Sequence, residues 1–209
     1  MKPFRLYAIT GEEFHPGRDV VEVMEEAIQG GVDIIQLRDK TSSKKAVLEK
    51  ARRLKKLAAD YGIPFIVNDH IDVALAVDAS GVHVGQDDLP LPEVRKLLGP
   101  DKIIGVSTHK LEEALEAEKN GADYIGVGPI FPTNSKADVV DPVTTAYIRE
   151  VKEHVTIPFV AIGGIKRHNV REVIEAGAEA VCVITEIVAA RDVKAASQAL
   201  LAAMEEASQ

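Results

Sequence analysis

Long apolar runs are missing from this chain: no stretch approaches the roughly 18 consecutive apolar residues of a membrane span, and the opening MKPFRLYAIT lacks the segments of a secretory signal. A cytoplasmic protein, away from the membrane, is expected. Positive charge is scarce as well. The 25 Lys and Arg residues stand against 33 Asp and Glu, a net charge of -8, which argues against a general nucleic-acid or anionic-membrane surface. A polyanionic ligand must then be met by a local cluster of cations or by a metal. Cysteine is almost absent: Cys182 stands alone in the apolar run AVCVIT, so no disulfide forms within one chain and the thiol reads as a small packed hydrophobe. None of the six histidines has a Ser or Cys partner in a nucleophile motif, and no His or Cys cluster has zinc-like spacing. His83, inside VHVG, reads as a satisfied strand residue, and His70 and His168 as surface groups. With no linker or low-complexity tract, the 209 residues read as one domain over 1–209, and 46% hydrophobic residues suffice for a sizeable core.

What is present is alternation. Eight apolar runs of strand length, at 5–10, 33–37, 64–67, 81–84, 103–106, 124–127, 159–162 and 180–184, are separated by helical patterns. The runs are nearly continuous rather than alternating, as in strands covered on both faces of a parallel sheet. Between them, Val20, Val23, Met24, Ala27 and Ile28, then Val47, Ala51, Leu54 and Ala58, mark apolar helix stripes. Asn169 and Glu172 suggest a capping box, and Pro142 suits the first turn of the helix carrying Tyr147, Ile148 and Val151. Gly31, Gly121 and Gly177 each stand where a helix should stop, two residues before an acid and a new strand. Eight such units favour a closed (β/α)8 barrel. An open doubly wound sheet is the alternative, but GEEFHPGR follows the first strand in place of a G-x-G-x-x-G turn.

In such a barrel the chemistry gathers in the loops after the strands. After the second, Gln36, Arg38 and Lys40 share one side of an extended segment, an amide and two cations suited to phosphate oxygens. After the third and fourth come Asn68 and Asp69, then Gln86, Asp87 and Asp88. Asp69 and Asp88, from neighbouring strand ends, suit Mg2+, which takes few protein carboxylates; Asp-rich turns are the structural alternative. Strand parity turns Asp87 elsewhere. Ser107, Thr108 and His109 close the fifth strand, offering a hydroxyl to phosphate or to a helix start. The long sixth loop, 128–142, carries Thr133, Asn134, Ser135 and Lys136. The seventh strand ends in Gly163 and Gly164 and the eighth in Ile184 and Thr185, where these barrels commonly bind phosphate through backbone N–H groups. Two anion sites emerge, consistent with a diphosphate beside a monophosphate.

QLRDK, VNDHIDVALA, GVHVGQDDLP, GVSTH, GADYIGVGPIFPTNSK and AIGGI, in this order along nearly the whole chain, resemble the thiamine phosphate synthase family. The resemblance implies a (β/α)8 transferase that joins 4-amino-2-methyl-5-hydroxymethylpyrimidine diphosphate to 4-methyl-5-(2-phosphooxyethyl)thiazole and releases pyrophosphate. It implies a pyrimidine diphosphate site at Gln36, Leu37, Arg38, Asp39, Lys40, Asn68, Ser107 and Lys136, and Mg2+ on Asp69 and Asp88. It places the thiazole phosphate on Thr133, Asn134, Ser135, Gly164, Ile184 and Thr185. Arg38, Lys40, Ser107 and Lys136 would be the catalytic groups of a dissociative reaction. The chain departs from the pattern at Ser135, where threonine is frequent, Ala137, where lysine is frequent, and Glu186, where alanine is frequent. The expected partners are the two substrates, with neither nucleic acid nor membrane, and a homo-oligomer is left open. A thiazole tautomerase-like barrel and a non-catalytic sensing barrel are the alternative readings.

Overall fold

The computed structural model describes residues 3–135 and 141–209. Each of the eight runs becomes a strand: β1 Leu6–Ile9, β2 Ile34–Leu37, β3 Phe65–Asn68, β4 Gly81–Val84, β5 Ile103–Thr108, β6 Tyr124–Val127, β7 Phe159–Ile162 and β8 Val181–Val183. All neighbours pair in parallel in sequence order, and β1 pairs β8 to close the barrel. Covered outside by helices and filled inside by their own side chains, β1, β2, β3, β6 and β8 are buried at every position, which explains why their sequences do not alternate.

The helices supply the cover. In α1 (Val20–Gln29) the expected stripe of Val20, Val23, Met24, Ala27 and Ile28 is buried, and in α2 (Lys44–Tyr61) Leu57 joins Val47, Ala51, Leu54 and Ala58. Asp19 caps α1 by accepting from Val21 N and Glu22 N, and Ser43 caps α2 through Ala46 N. Around the rest of the barrel run α3 (Ile71–Ala76), α4 (Leu91–Leu98), α5 (Leu111–Lys119), α6 (Thr144–His154), α7 (Val170–Glu175), the short α8 (Thr185–Val188) and α9 (Val193–Ala207). Among the described residues no helix is long and apolar enough to cross a membrane.

Gly31, Gly121 and Gly177 all have positive φ, as expected of helix stops. Two of the acids that follow clamp the barrel's N-terminal edge. Asp33 accepts from Arg5 N (2.7 Å) and Leu6 N (3.0 Å), and Asp123 from Ile104 N (2.8 Å) and the Arg95 guanidinium (2.6 Å). The third, Glu179, only pairs with exposed Lys152. Two helix starts differ from expectation. Asn169 precedes α7 without capping it, because its side chain is committed to the β7–α7 loop: Oδ1 accepts from Lys166 N and Nδ2 donates to Gly164 O. Pro142 lies before the N-cap residue Val143 rather than in the first turn of α6.

Candidate active site

The strands' C-terminal ends surround a cavity of about 330 Å3. Its two sides are built differently. On the β2–β4 side, Arg38, Lys40, Asn68, Asp69 and Asp88 line it, and Asp87 does so too, against the parity expectation. The ends of β1 and β2 are tied together above the barrel: Arg38 N donates to Thr10 Oγ1 (2.9 Å) and Thr10 Oγ1 donates to Arg38 O (3.1 Å). Asp69 sits at φ 59, in the left-handed region that Asp tolerates better than most residues. The turn brings its carboxylate to Lys40 Nζ at 3.5 Å and against Asp88. Burial raises the Asp69 carboxyl above its usual range, the Asp88 carboxylate raises it further, and Lys40 only partly opposes them. Asp88 itself is held by Gly85 N, which donates to Oδ2 at 2.7 Å.

Such a pair fits a small divalent cation. Two carboxylates converge there with Lys40 and Arg38 on the same wall, and no third His, Cys, Asp or Glu joins them in a cluster among the described residues. That sparse donor set matches Mg2+, which fills its octahedron with water and substrate phosphate oxygens.

Three residues of the QLRDK segment do not face the cavity. Leu37 is buried beneath the helices and Gln36 is turned into the barrel, where its amide donates to Tyr7 Oη at 2.6 Å. The Asp39 side chain, 5% exposed, folds back on its own loop: it meets Lys50 Nζ at 2.7 Å and accepts from Thr41 N and Ser42 N. Burial pushes the Asp39 carboxyl up, but the hydrogen bonds from Lys50 and the Ser42 side chain, then from the Ser42 and Thr41 N–H groups, outweigh it and hold the group well below the usual range. Asp39 therefore braces the loop that carries Arg38 and Lys40.

On the β6–β8 side no charged side chain lines the cavity among the described residues. Thr133, Ser135, Gly163, Gly164, Ile184 and Thr185 contribute, and Thr133 Oγ1 donates to Ser135 Oγ, which lies 3.5 Å from Thr185 Oγ1. Asn134 faces an adjoining hollow with Phe14 and Lys166. Gly163 and Gly164 have φ of 96 and 64, and a Cβ would lie 2.4 Å from Pro129 Cα at the first and 2.7 Å from Pro132 O at the second. The glycines thus make room first for the β6 loop, whose Phe131 N donates to Gly163 O. Glu186 reaches the same region, accepting from Arg167 N at 2.9 Å and standing 3.5 Å from Lys166 Nζ. Lys136 lies outside the described residues.

Between the two sides stands β5. Ser107 lines the cavity and its Oγ is 2.8 Å from His83 Nε2, while Thr108 is buried, donating to Gly126 O and accepting from Tyr147 Oη. His83 is indeed a satisfied strand residue. His168 is exposed, as expected, but His70 is held by Lys44 Nζ and Asp39 O. His109, read from sequence only as part of the end of the fifth strand, and Glu113, which sequence reasoning passed over, also line the cavity: Glu113 accepts from His109 N at 2.8 Å, and His109 Nδ1 donates to Gly128 O at 2.6 Å. Their i, i+4 spacing at a helix start was the available signal. The tie between loops β5 and β6 was not visible in sequence.

A closed (β/α)8 barrel with a polar cavity at its C-terminal mouth is the architecture in which barrel enzymes place their active sites. The comparisons narrow this class. The thiamine monophosphate synthase family model matches residues 6–187. The thiamine-phosphate synthase of Halalkalibacterium halodurans is 72% identical over 93% of this chain and 92% of its own, and that of Pelotomaculum thermopropionicum 49% over 94% and 90%. The solved thiamine phosphate pyrophosphorylase of Pyrococcus furiosus superposes with a TM-score of 0.88 at 41% identity, covering 98% of this chain and 96% of that one. The chain belongs to the thiamine monophosphate synthase family, whose members serve thiamine biosynthesis.

Proposed function

We propose that the chain condenses 4-amino-2-methyl-5-hydroxymethylpyrimidine diphosphate with 4-methyl-5-(2-phosphooxyethyl)thiazole, giving thiamine phosphate and pyrophosphate. The observation that carries this reading is the division of the cavity, among the described residues, into a side with charged lining and a side lined by hydroxyls, glycines and apolar groups. A diphosphate that must leave with growing negative charge suits the side of Arg38, Lys40 and the acid pair. A phosphate that only has to be held suits hydroxyls and backbone donors.

Asp69 and Asp88 would hold Mg2+, which when bound supplies charge neutralisation to the departing diphosphate. Arg38 and Lys40 reach the same oxygens, with Lys136 as a third cation by the family pattern. The C–O bond to the pyrimidine methylene ionises, electrons leave with pyrophosphate, and the resulting cation is stabilised by the ring's own amino group. The thiazole nitrogen then attacks the methylene carbon, forming the C–N bond. The chain's contribution is to orient both substrates and keep water from the cation, with Ile162 and Ile184 in the lining. No covalent link to the protein is needed. The reaction proceeds in the cytoplasm.

The test is a coupled incubation of both substrates with and without Mg2+. Thiamine phosphate should form only with the metal present. Binding of both substrates without product would favour a sensing barrel, and turnover of a thiazole without diphosphate or metal would favour a tautomerase.

A further inference from the structure

The barrel interior contains a line of polar side chains, of which Tyr7, Tyr124 and His83 have no role in the proposed reaction. Gln36 Nε2 lies 2.6 Å from Tyr7 Oη, Tyr7 Oη 3.0 Å from Tyr124 Oη, Tyr124 Oη 2.9 Å from His83 Nδ1, and His83 Nε2 2.8 Å from Ser107 Oγ. The line starts on β2, crosses β1, β6 and β4, and ends on β5 at the cavity. Tyr7 and Tyr124 are fully buried and Gln36 is 2% exposed, so an apolar filling of ordinary barrel type would have been the simpler choice. Space is cleared for it: a Cβ on Gly105 would lie 2.1 Å from Tyr124 Cζ, so that position accepts only glycine.

Donor arithmetic allows the line one continuous direction. An amide nitrogen can only donate, so Tyr7 Oη accepts from Gln36. The arrangement in which each hydroxyl then uses its single hydrogen along the line has Tyr7 donating to Tyr124 and Tyr124 to His83 Nδ1. Both phenols stay protonated, since burial above all drives their ionisation far upward. A neutral imidazole that accepts at Nδ1 carries its hydrogen on Nε2, which then donates to Ser107 Oγ. The serine hydroxyl, already an acceptor, keeps its own hydrogen for the cavity.

We infer that Tyr7, Tyr124 and His83 are positioning residues that hold His83 as the Nε2–H tautomer and thereby make Ser107 a fixed donor toward a heterocyclic ring nitrogen. This deepens the proposed function, on which the ligand class rests: an aminopyrimidine offers such an acceptor. Delivery through a neutral imidazole also keeps formal positive charge away from a substrate that becomes cationic, which an Arg or Lys in the same place would oppose.

Two measurements test it. Nitrogen-15 NMR of the free protein, with the His83 resonances assigned by their loss in His83→Gln, should show an unprotonated Nδ1 and a protonated Nε2. The opposite tautomer overturns the inference whether or not the protein makes thiamine phosphate. In steady-state assays Tyr124→Phe, which preserves volume, should lower kcat about tenfold, the worth of one hydrogen bond. It should raise KM for the pyrimidine diphosphate and leave KM for the thiazole phosphate unchanged. His83→Gln, which keeps a donor near the Nε2 position, should retain more activity than His83→Ala. Wild-type kcat and KM in Tyr124→Phe overturn the positioning role. A wild-type protein that forms no product sinks the proposed function instead, while the tautomer result still decides the chain.

Discussion

The side of the cavity built by β2, β3 and β4 and the side built by β6, β7 and β8 face each other across the barrel mouth and are built by opposite means. The first places full charges of both signs together: Arg38 and Lys40 beside Asp69 and Asp88, with Lys50 and Asp39 bracing the loop below. Its balance depends on protons and on any cation present, as the raised Asp69 carboxyl shows. The second uses hydroxyls and backbone held by close packing, with Gly163 and Gly164 pressed against the β6 loop. A side made of charges is sensitive to the loss of a charge, and a side made of backbone to the gain of a methyl group.

The largest expected effect breaks the charged side. Asp69→Asn removes one of two carboxylates and should cut Mg2+-dependent turnover about a hundredfold or more, the scale of losing a principal electrostatic contact in an active site. Substrate titrations in that variant should leave KM for the thiazole phosphate near wild type. Comparable turnover with and without the substitution would remove Asp69 from the metal site. Next comes the neutral side. Gly164→Ala must place a Cβ within 2.7 Å of Pro132 O at a φ of 64, costing roughly 2–3 kcal/mol of stability. It should raise KM for the thiazole phosphate with little change for the pyrimidine diphosphate, measurable by the same titrations beside a melting curve.

The smallest effect sharpens the comparison through pH. Because the Asp69 carboxyl is raised, the folded protein keeps a proton that the unfolded chain has lost between the usual carboxylate value, about 4, and the higher folded value. Stability of the metal-free protein therefore falls as pH rises through that window. Asp88→Asn removes the neighbouring charge and should flatten this fall, raising the melting temperature at neutral pH by about 1–2 °C, while impairing Mg2+-dependent turnover. Melting curves between pH 4 and 7, an order-of-magnitude window set by carboxylate titration, would show it. An unchanged pH profile in Asp88→Asn would mean that the two carboxylates do not share their field.

Much of this was legible along the chain because it is periodic. Nearly continuous apolar runs such as those at 64–67 and 124–127 read as strands covered on both faces, and the stripe from Val20 to Ile28 as one face of a helix. The expectations that moved are those that depended on a neighbour in space. Asn169 has the spacing of a cap, yet Gly164 O and Lys166 N take its side chain. Asp39 looks like a loop acid beside two cations until Lys50, in the second turn of α2, draws it away from the cavity. Gly163 and Gly164 were expected to clear a path for phosphate, and the nearest atoms they clear belong to residues 129–132.

By itself the sequence determined eight βα units and the strand ends from which Arg38, Asp69, Asp88, Ser107 and Gly164 emerge, since strand length and side-chain alternation follow from local backbone geometry, whereas the β1–β8 pairing decided between a closed barrel and an open sheet. Only the tertiary structure decided which way each of those groups is satisfied. Tyr7, His83 and Tyr124 are separated by up to 117 positions and look like ordinary core residues in the chain. Barrel closure brings them within hydrogen-bond distance, and a buried polar group has nowhere else to find its partner.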